Sequence, residues 1–276
     1  MALKLMYITN RPDVAKIAEN AGVDRVFVDM EYIGKADRQG GMDTVQSRHT
    51  LEDVAAIRSV VTKAQLMVRC NPIHEATAEY CDSREEIEGI IARGADVIML
   101  PYFKTVEEVR KFIEFVDGRA VTLPLVETPE AVACVDEILE LPGIDEIFVG
   151  LNDLSLGYKK KFMFELLADG TVEKLCEKFR KKGIPYGFGG IASLGKGLLP
   201  SEYVIMEHYR LGSTCAILSR SFCNATQIQD TEQIRRIFTQ GVREIRDYEL
   251  KCSEHPELYE ENQENAWGLI RKIAES

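Results

Sequence analysis

The chain has 276 residues, 45% hydrophobic and 29% charged, and carries a formal net charge of -11 at pH 7. Such a composition supports a sizeable buried core and excludes a disordered chain, while the acidic balance disfavours nucleic acid or an anionic membrane as partner, since both are polyanions. No run approaches the roughly 18 apolar residues that span a bilayer, and residues 1–11 lack the long apolar stretch and small-residue cleavage site of a secretory signal, which points to the cytoplasm.

Short β-rich runs alternate with amphipathic stretches along the chain, the pattern of parallel βαβ units. A first strand is predicted over 3–8 and a helix over 12–21, opened by Pro12. The second strand, 25–29, carries the apolar triplet VFV expected of a strand buried on both faces, and a helix follows over 51–61. Strand three, 65–69, leads to a helix over 84–92, and strand four, 96–100, to one over 106–116. Strand five is 121–126, followed by a helix over 129–139; strands six, seven and eight are 146–149, 185–188 and 213–218. Eight such units make a (β/α)8 TIM barrel, α/β in class. Gly22, Gly94, Gly143 and Gly183 read as helix-stop or turn glycines. Helices over 227–250 and 257–274 exceed what closure needs, so residues 1–276 read as one barrel domain in which 227–276 is a helical extension for docking or subunit contact.

Chemistry in such a barrel sits at the C-terminal ends of the strands. Five strands here run into polar residues: Asp29 and Glu31, Arg69, Glu127, Asp153, and Ser219 with Arg220. Taken singly, Glu127 or Asp153 is equally well a helix cap; their convergence on one face favours a site. Two carboxylates from neighbouring strands, completed by water and substrate oxygens, suit octahedral Mg²⁺ or Mn²⁺. A nearby Arg then grips a carboxylate in bidentate fashion. Together they are the minimum equipment for chelating a 2-oxo acid and stabilising its enolate.

These segments resemble the 4-hydroxy-2-oxo-acid aldolase and citrate lyase β-subunit family of the phosphoenolpyruvate/pyruvate barrel superfamily, over about residues 14–218. The likeness is carried by Asp29-Met30-Glu31, Met67-Val68-Arg69, GADVIMLP at 94–101, VETPEA at 126–131 and FVGLNDLS at 148–155, the last two being the most specific. The resemblance implies that Glu127 and Asp153 bind the divalent metal and Arg69 the pyruvyl group. One departure concerns the family's Asp-Gly-Glu-His run: here Asp29-Met30-Glu31 is followed by Tyr32, and a stretch like the family's continuation returns at HTLEDV, 49–54. Residues 33–48 thus read as an insertion that keeps His49 as the proton-transfer His; a helix-flanking surface His is the alternative. Residues 34–47, with Gly40-Gly41, read as a lid. A second departure is the short turn Asp117-Gly118-Arg119, where relatives often carry a substrate-contacting loop. The acceptor pocket is then expected to be rebuilt from 33–48 and the loop after strand seven.

The expected activity is aldol-type carbon-carbon cleavage or formation between pyruvate, or a related 2-oxo acid, and an aldehyde. Arg69, Glu31, Leu151, Asn152, Gly189 and Gly190 are the expected substrate contacts, with His49 and Asp29 moving the proton. Alternatives are a citrate-lyase-like or citrate-synthase-like reaction on oxaloacetate and a non-catalytic 2-oxo-acid-binding barrel. The resemblance and the long C-terminal helices imply a homo-oligomer built from dimers. GIASLGKG at 190–197 has phosphate-loop spacing up to Lys196, but Gly197 stands where Ser or Thr would meet Mg²⁺; it reads as a flexible connection or a softer phosphate contact through Gly189, Gly190 and Lys196. Lys159-Lys160-Lys161 reads as a solvated face, His74 as a lining residue, and His208 and His255 as structural. No strand ends in Lys, which favours metal over imine catalysis. The seven scattered cysteines, free of any Cys-x-x-Cys pair, argue against a disulfide framework or zinc site, and only Cys70, beside Arg69, is a candidate reactive thiol.

Overall fold

In the computed structural model, which describes residues 2–35 and 47–275, eight parallel strands close into a barrel in sequence order. They are β1 (Lys4–Ile8), β2 (Arg25–Asp29), β3 (Gln65–Arg69), β4 (Val97–Leu100), β5 (Val121–Val126), β6 (Ile147–Val149), β7 (Tyr186–Ile191) and β8 (Cys215–Leu218). β8 pairs with β1, Lys4 opposite Cys215, and completes the ring. The outer layer consists of α1 (Pro12–Asn20), α2 (Leu51–Val60), α3 (Ser83–Ala92), α4 (Val106–Val116), α5 (Pro129–Ala133), α6 (Val135–Ile138), α7 (Leu151–Gly157), α8 (Glu165–Ala168), α9 (Thr171–Lys182) and α10 (Ser201–Leu211). α2 and α4 open on capping boxes, in which Thr50 and Thr105 exchange hydrogen bonds with Asp53 and Glu108. The helix expected over 129–139 is broken at Cys134 into α5 and α6.

Alternation along the strands builds two apolar layers. Met6, Phe27, Met67, Met99, Leu123 and Phe148 point into the barrel and fill it. Leu5, Val26, Val28, Leu66, Val68 and Ile98 face the helices. An ion cluster plugs the N-terminal mouth: Arg25, fully buried, donates through both Nη atoms to Glu146 at 2.7 Å and through Nε to Gln65 at 2.8 Å. Lys4 adds a third bond to Glu146, also at 2.7 Å. The chemistry is thereby left to the opposite mouth.

After β8 come α11 (Thr231–Glu254) and α12 (Tyr259–Glu275). α11 starts later than the pattern suggested because Asp230 caps it, accepting from Glu232 N–H. It packs on α1 and α10 and ties down the start of β1, where Leu3 N–H donates to Glu249 and Arg246 donates to Leu3 O. α12 packs on α8 and α10, with Asn262 donating to Tyr203 O, so within one chain the last helix docks on its own barrel. Among the described residues no helix is long and apolar enough to cross a membrane.

Removing Arg25 would strand Glu146 in a buried site with Lys4 as its remaining cation. Arg25→Met is therefore expected to lower stability by about 3–5 kcal/mol, as one-sided breakage of a buried pair does. Urea unfolding measures this; a loss below about 1 kcal/mol would mean that Lys4 alone compensates Glu146.

Candidate active site

In-register pairing of β2 with β3 sets Asp29 opposite Arg69. Arg69 donates through Nε to Oδ1 at 2.8 Å and through Nη2 to Oδ2 at 2.7 Å, a bidentate clamp that leaves Nη1 as the edge Asp29 does not use. Lys35, six residues beyond Asp29, reaches Asp29 Oδ2 at 2.9 Å and Glu31 Oε2 at 3.3 Å, and Arg69 Nε lies 3.4 Å from the same Glu31 oxygen. All four side chains are largely or fully buried. Burial alone would raise the Asp29 carboxyl, but Arg69 and Lys35 override it and hold it far below the usual carboxylate range. Asp29 is thus ionised at neutral pH.

His49 immediately precedes Thr50, the cap of α2, and also lines the cavity. The backbone N–H of Asp29 donates to His49 Nδ1 at 3.0 Å, which places the proton of the neutral ring on Nε2. Burial lowers the His49 pKa against the opposing pull of the Asp29 charge, favouring that neutral form.

Glu127 follows β5, and Asp153 lies in the first turn of α7, just after β6. Both line a cavity of about 580 Å³ at the C-terminal mouth, together with Asp29, Lys35, His49 and Arg69. Tyr102 N–H donates to Glu127 Oε1 at 2.9 Å, from a residue held at φ +47°, a left-handed backbone that is unusual without glycine. At Gly150 a Cβ would come within 2.7 Å of Glu127 Oε2, so glycine there makes room for the carboxylate. Burial, followed by the charges of Glu31 and Asp153, raises the Glu127 carboxyl well above its usual range, with Arg69 acting in the opposite sense.

Four acids, Asp29, Glu31, Glu127 and Asp153, therefore face two cations, Arg69 and Lys35. When all are ionised, two negative charges remain, and hard carboxylate oxygens carry them. That donor set fits one Mg²⁺ or Mn²⁺ between Glu127 and Asp153. Among the described residues no three His, Cys, Asp or Glu side chains form a closed cage, so the other coordination positions would fall to water and substrate, as Mg²⁺ prefers.

Leu151 and Asn152 line the same cavity, as do Gly189 and Gly190. The glycines are explained by a bulge: Gly187 pairs with Cys215 but Gly190 with Ile217, so β7 carries one extra residue, and Gly189 takes φ +56°. Lys196 is exposed and is not among the lining residues. Nor is His74, whose ring instead meets the carbonyls of Pro72 and Cys81. Cys70 is fully buried and its thiol is pushed well up by burial, so it is an inert side chain and not a reactive one. The Asp117-Gly118-Arg119 turn joins a helix to the start of β5 and lies at the N-terminal end, where Arg119 pairs with Glu88. A turn there cannot shape the acceptor pocket of its own barrel. His208 is buried and stacked on Phe188, centroids 3.9 Å apart. The lid reading, centred on Gly40-Gly41, lies outside the described residues. Lys35 and Tyr102 escaped the sequence reading: one follows no strand, and the other contributes only a backbone N–H. Spacing gave a signal for Lys35 alone, since it stands four residues after Glu31, helical reach for an ion pair.

The model of the HpcH/HpaI aldolase/citrate lyase family matches residues 4–186. The chain belongs to this family. A relative from Sagittula stellata, a hydroxypyruvate/pyruvate aldolase, is 23% identical over 220 residues, covering 68% of this chain and 76% of its own. Two solved structures share the fold. An HpcH/HpaI aldolase from Desulfitobacterium hafniense is 17% identical, with TM-score 0.57 over 88% of this chain and 93% of its own. An HpcH/HpaI aldolase/citrate lyase family protein from Burkholderia cenocepacia is 14% identical, with TM-score 0.60 over 85% and 95%.

In this HpcH/HpaI barrel the Asp29 clamp carries a signed pH dependence. A carboxyl depressed by folding contributes stability above its unfolded pKa of about 3.9, and that contribution is lost as pH falls toward the native value. Asp29→Asn should therefore unfold more readily than the parent at pH 7, with the difference shrinking below about pH 4. Thermal melts across pH 3–7 read it; a gap that does not shrink with acid would remove the clamp as its cause.

Proposed function

We propose that the chain catalyses reversible aldol addition of pyruvate, or a closely related 2-oxo acid, to an aldehyde, with Mg²⁺ or Mn²⁺ held by Glu127 and Asp153. The observation that carries this reading is the excess of buried negative charge around Glu127, opposite an arginine, at the mouth where barrels do their chemistry. The name of the Sagittula stellata relative, a hydroxypyruvate/pyruvate aldolase, supports the donor class.

Such a cation supplies Lewis acidity that draws electron density toward the 2-oxo oxygen and favours loss of a C3 proton. The C3 proton would leave to water at the mouth of the cavity, and the chain's own residues bind and orient the substrate. Arg69, fixed by Asp29, offers Nη1 to the anionic substrate, and Asp29, itself held ionised, orients Arg69 and is not the base. Lys35 shares the negative charge of Asp29 and Glu31, so that Arg69 is not wholly neutralised by them. Neutral His49 presents Nε2–H as a hydrogen-bond donor, as a neutral imidazole does when it polarises a carbonyl.

Stripping with EDTA should abolish pyruvate-dependent turnover and the exchange of pyruvate methyl protons in D₂O, and Mg²⁺ or Mn²⁺ should restore both. Glu127→Gln should lower kcat by at least about 100-fold. Activity that persists after complete metal removal and in Glu127→Ala refutes the reading.

His49 is tested separately. His49→Gln keeps a side-chain N–H donor and is expected to slow methyl exchange by roughly tenfold, short of the 10²–10⁴-fold typical of losing a general base. Complete loss of exchange in that variant would reassign His49 as the base.

A further inference from the structure

The cavity is divided chemically. The charged residues already described stand at the ends of β2, β3, β5 and β6, whereas the stretch of wall beyond Asp153 and over β7 is apolar, lined by Phe162, Met163, Phe164, Leu198 and Leu199 with Leu151 beside them. Phe162 and Phe164 pack edge to face, with centroids 5.4 Å apart and planes at 69°. Leu151 is next to Gly150, against which Glu127 sits, and two residues before Asp153, so the apolar wall begins beside both carboxylates. The β7 bulge shapes it further: a Cβ at Gly189 would lie 2.7 Å from Leu151 Cδ1 and 4.0 Å from Phe164 Cε1. At the rim Leu198 is 75% exposed, a large aliphatic side chain left to water beside an apolar wall.

The cations among the described lining residues are Arg11, Lys35, Arg69 and Arg220. Lys35 and Arg69 serve Asp29 and Glu31. Arg11 pairs with Asp13 and donates to the carbonyls of Ala225 and Ile228, and Arg220 also has a partner. A phosphorylated or carboxylated acceptor seated on the apolar wall would set its anionic group against hydrocarbon side chains, which do not compensate a buried charge.

We propose that the acceptor is an apolar aldehyde, aromatic or branched aliphatic, whose hydrocarbon part lies against Leu151, Phe162, Phe164 and Leu198 while its carbonyl reaches the reaction centre beside Glu127. This rests on the enolate reading above. Pyruvate C3 gives one proton to water, and the C–H electron pair forms the bond to the aldehyde carbon; the carbonyl π pair moves to the aldehyde oxygen, which takes one proton back from water. The product is a 4-hydroxy-2-oxo acid, with no change in overall oxidation state.

The experiment has three arms, all on the metal-loaded full chain. Methyl exchange in D₂O tests the enolate alone. A condensation panel at fixed pyruvate compares benzaldehyde and 3-methylbutanal with glycolaldehyde and glyceraldehyde 3-phosphate. Ligand-observed NMR follows 2-phenylethanol, an unreactive mimic. The apolar aldehydes should lead by at least about tenfold in kcat/KM, the scale of hydrophobic-pocket discrimination. Phe162→Ala and Leu198→Ser should shrink that ratio and weaken binding of the mimic. Exchange with a preference for glycolaldehyde or the phosphorylated aldehyde overturns the apolar subsite and leaves the enolate reading standing. Binding of the mimic without exchange overturns the enolate reading and supports the subsite. Neither exchange nor binding overturns both.

Discussion

Mutual repulsion among four carboxyl groups at one mouth of the barrel is the constraint to which the surrounding residues answer. Asp29 is answered by two cations, Arg69 and Lys35, whose five hydrogen-bond and ion-pair distances to Asp29 and Glu31 run from 2.7 to 3.4 Å. Glu127 is answered only in part, by Arg69 at a distance and by a backbone N–H from the left-handed Tyr102, and its carboxyl is pushed upward as a result. Burying charge without full compensation is costly. A fold that spends a glycine at 150 to make room for Glu127, with Asp153 lining the same cavity, keeps a cluster whose energy a bound cation would lower, as the proposed function requires.

The architecture was legible because barrel strands buried on both faces must be written in apolar runs, and VFV, VIML and IFV are such runs. Strand ends then followed from where the apolar run met charge, which located Asp29, Arg69, Glu127 and Asp153 on one face. β7 was harder. Its second half, Gly189-Gly190-Ile191, looked like the start of a loop because glycines carry no side chain to mark a pleat, yet the bulge keeps it paired with β8 to Ile191. Helix ends failed where local hydrogen bonding, and not periodicity, decides them, as at Cys134 and Asp230.

Site contacts made by backbone or by loop residues had no comparable signature. Lys35 belongs to no regular strand, and its role depends on the chain folding back over β2 so that its ammonium reaches Asp29. Asn71 is similar: just after β3 it accepts the N–H groups of Tyr32 and Ile33 and donates to Glu86, fixing the path of the segment that carries Lys35. Misplacement of the Asp117-Gly118-Arg119 turn has a different origin. Composition and length were read correctly, but helix-to-strand turns lie at the N-terminal ends of strands, and barrel geometry alone assigns that end to the Arg25–Glu146 plug.

The charged cluster and the apolar wall are built from different kinds of element, strand ends for the first and mainly loops for the second. Asp29, Arg69, Glu127 and Asp153 all lie within the 4–186 span matched by the family model, on strand ends and a helix start that rigid pairing holds in register. The apolar wall draws on Phe162 to Phe164, within that span, and on Gly189, Leu198 and Leu199, beyond it. Strand ends cannot move without breaking the ring, so they suit chemistry that must stay fixed, whereas the loops over β6 and β7 can change side chains at little cost to closure. On the enolate reading proposed above, the donor chemistry would rest on the charged cluster that the strand ends hold, and the choice of partner aldehyde on a few loop residues that the barrel carries but does not require.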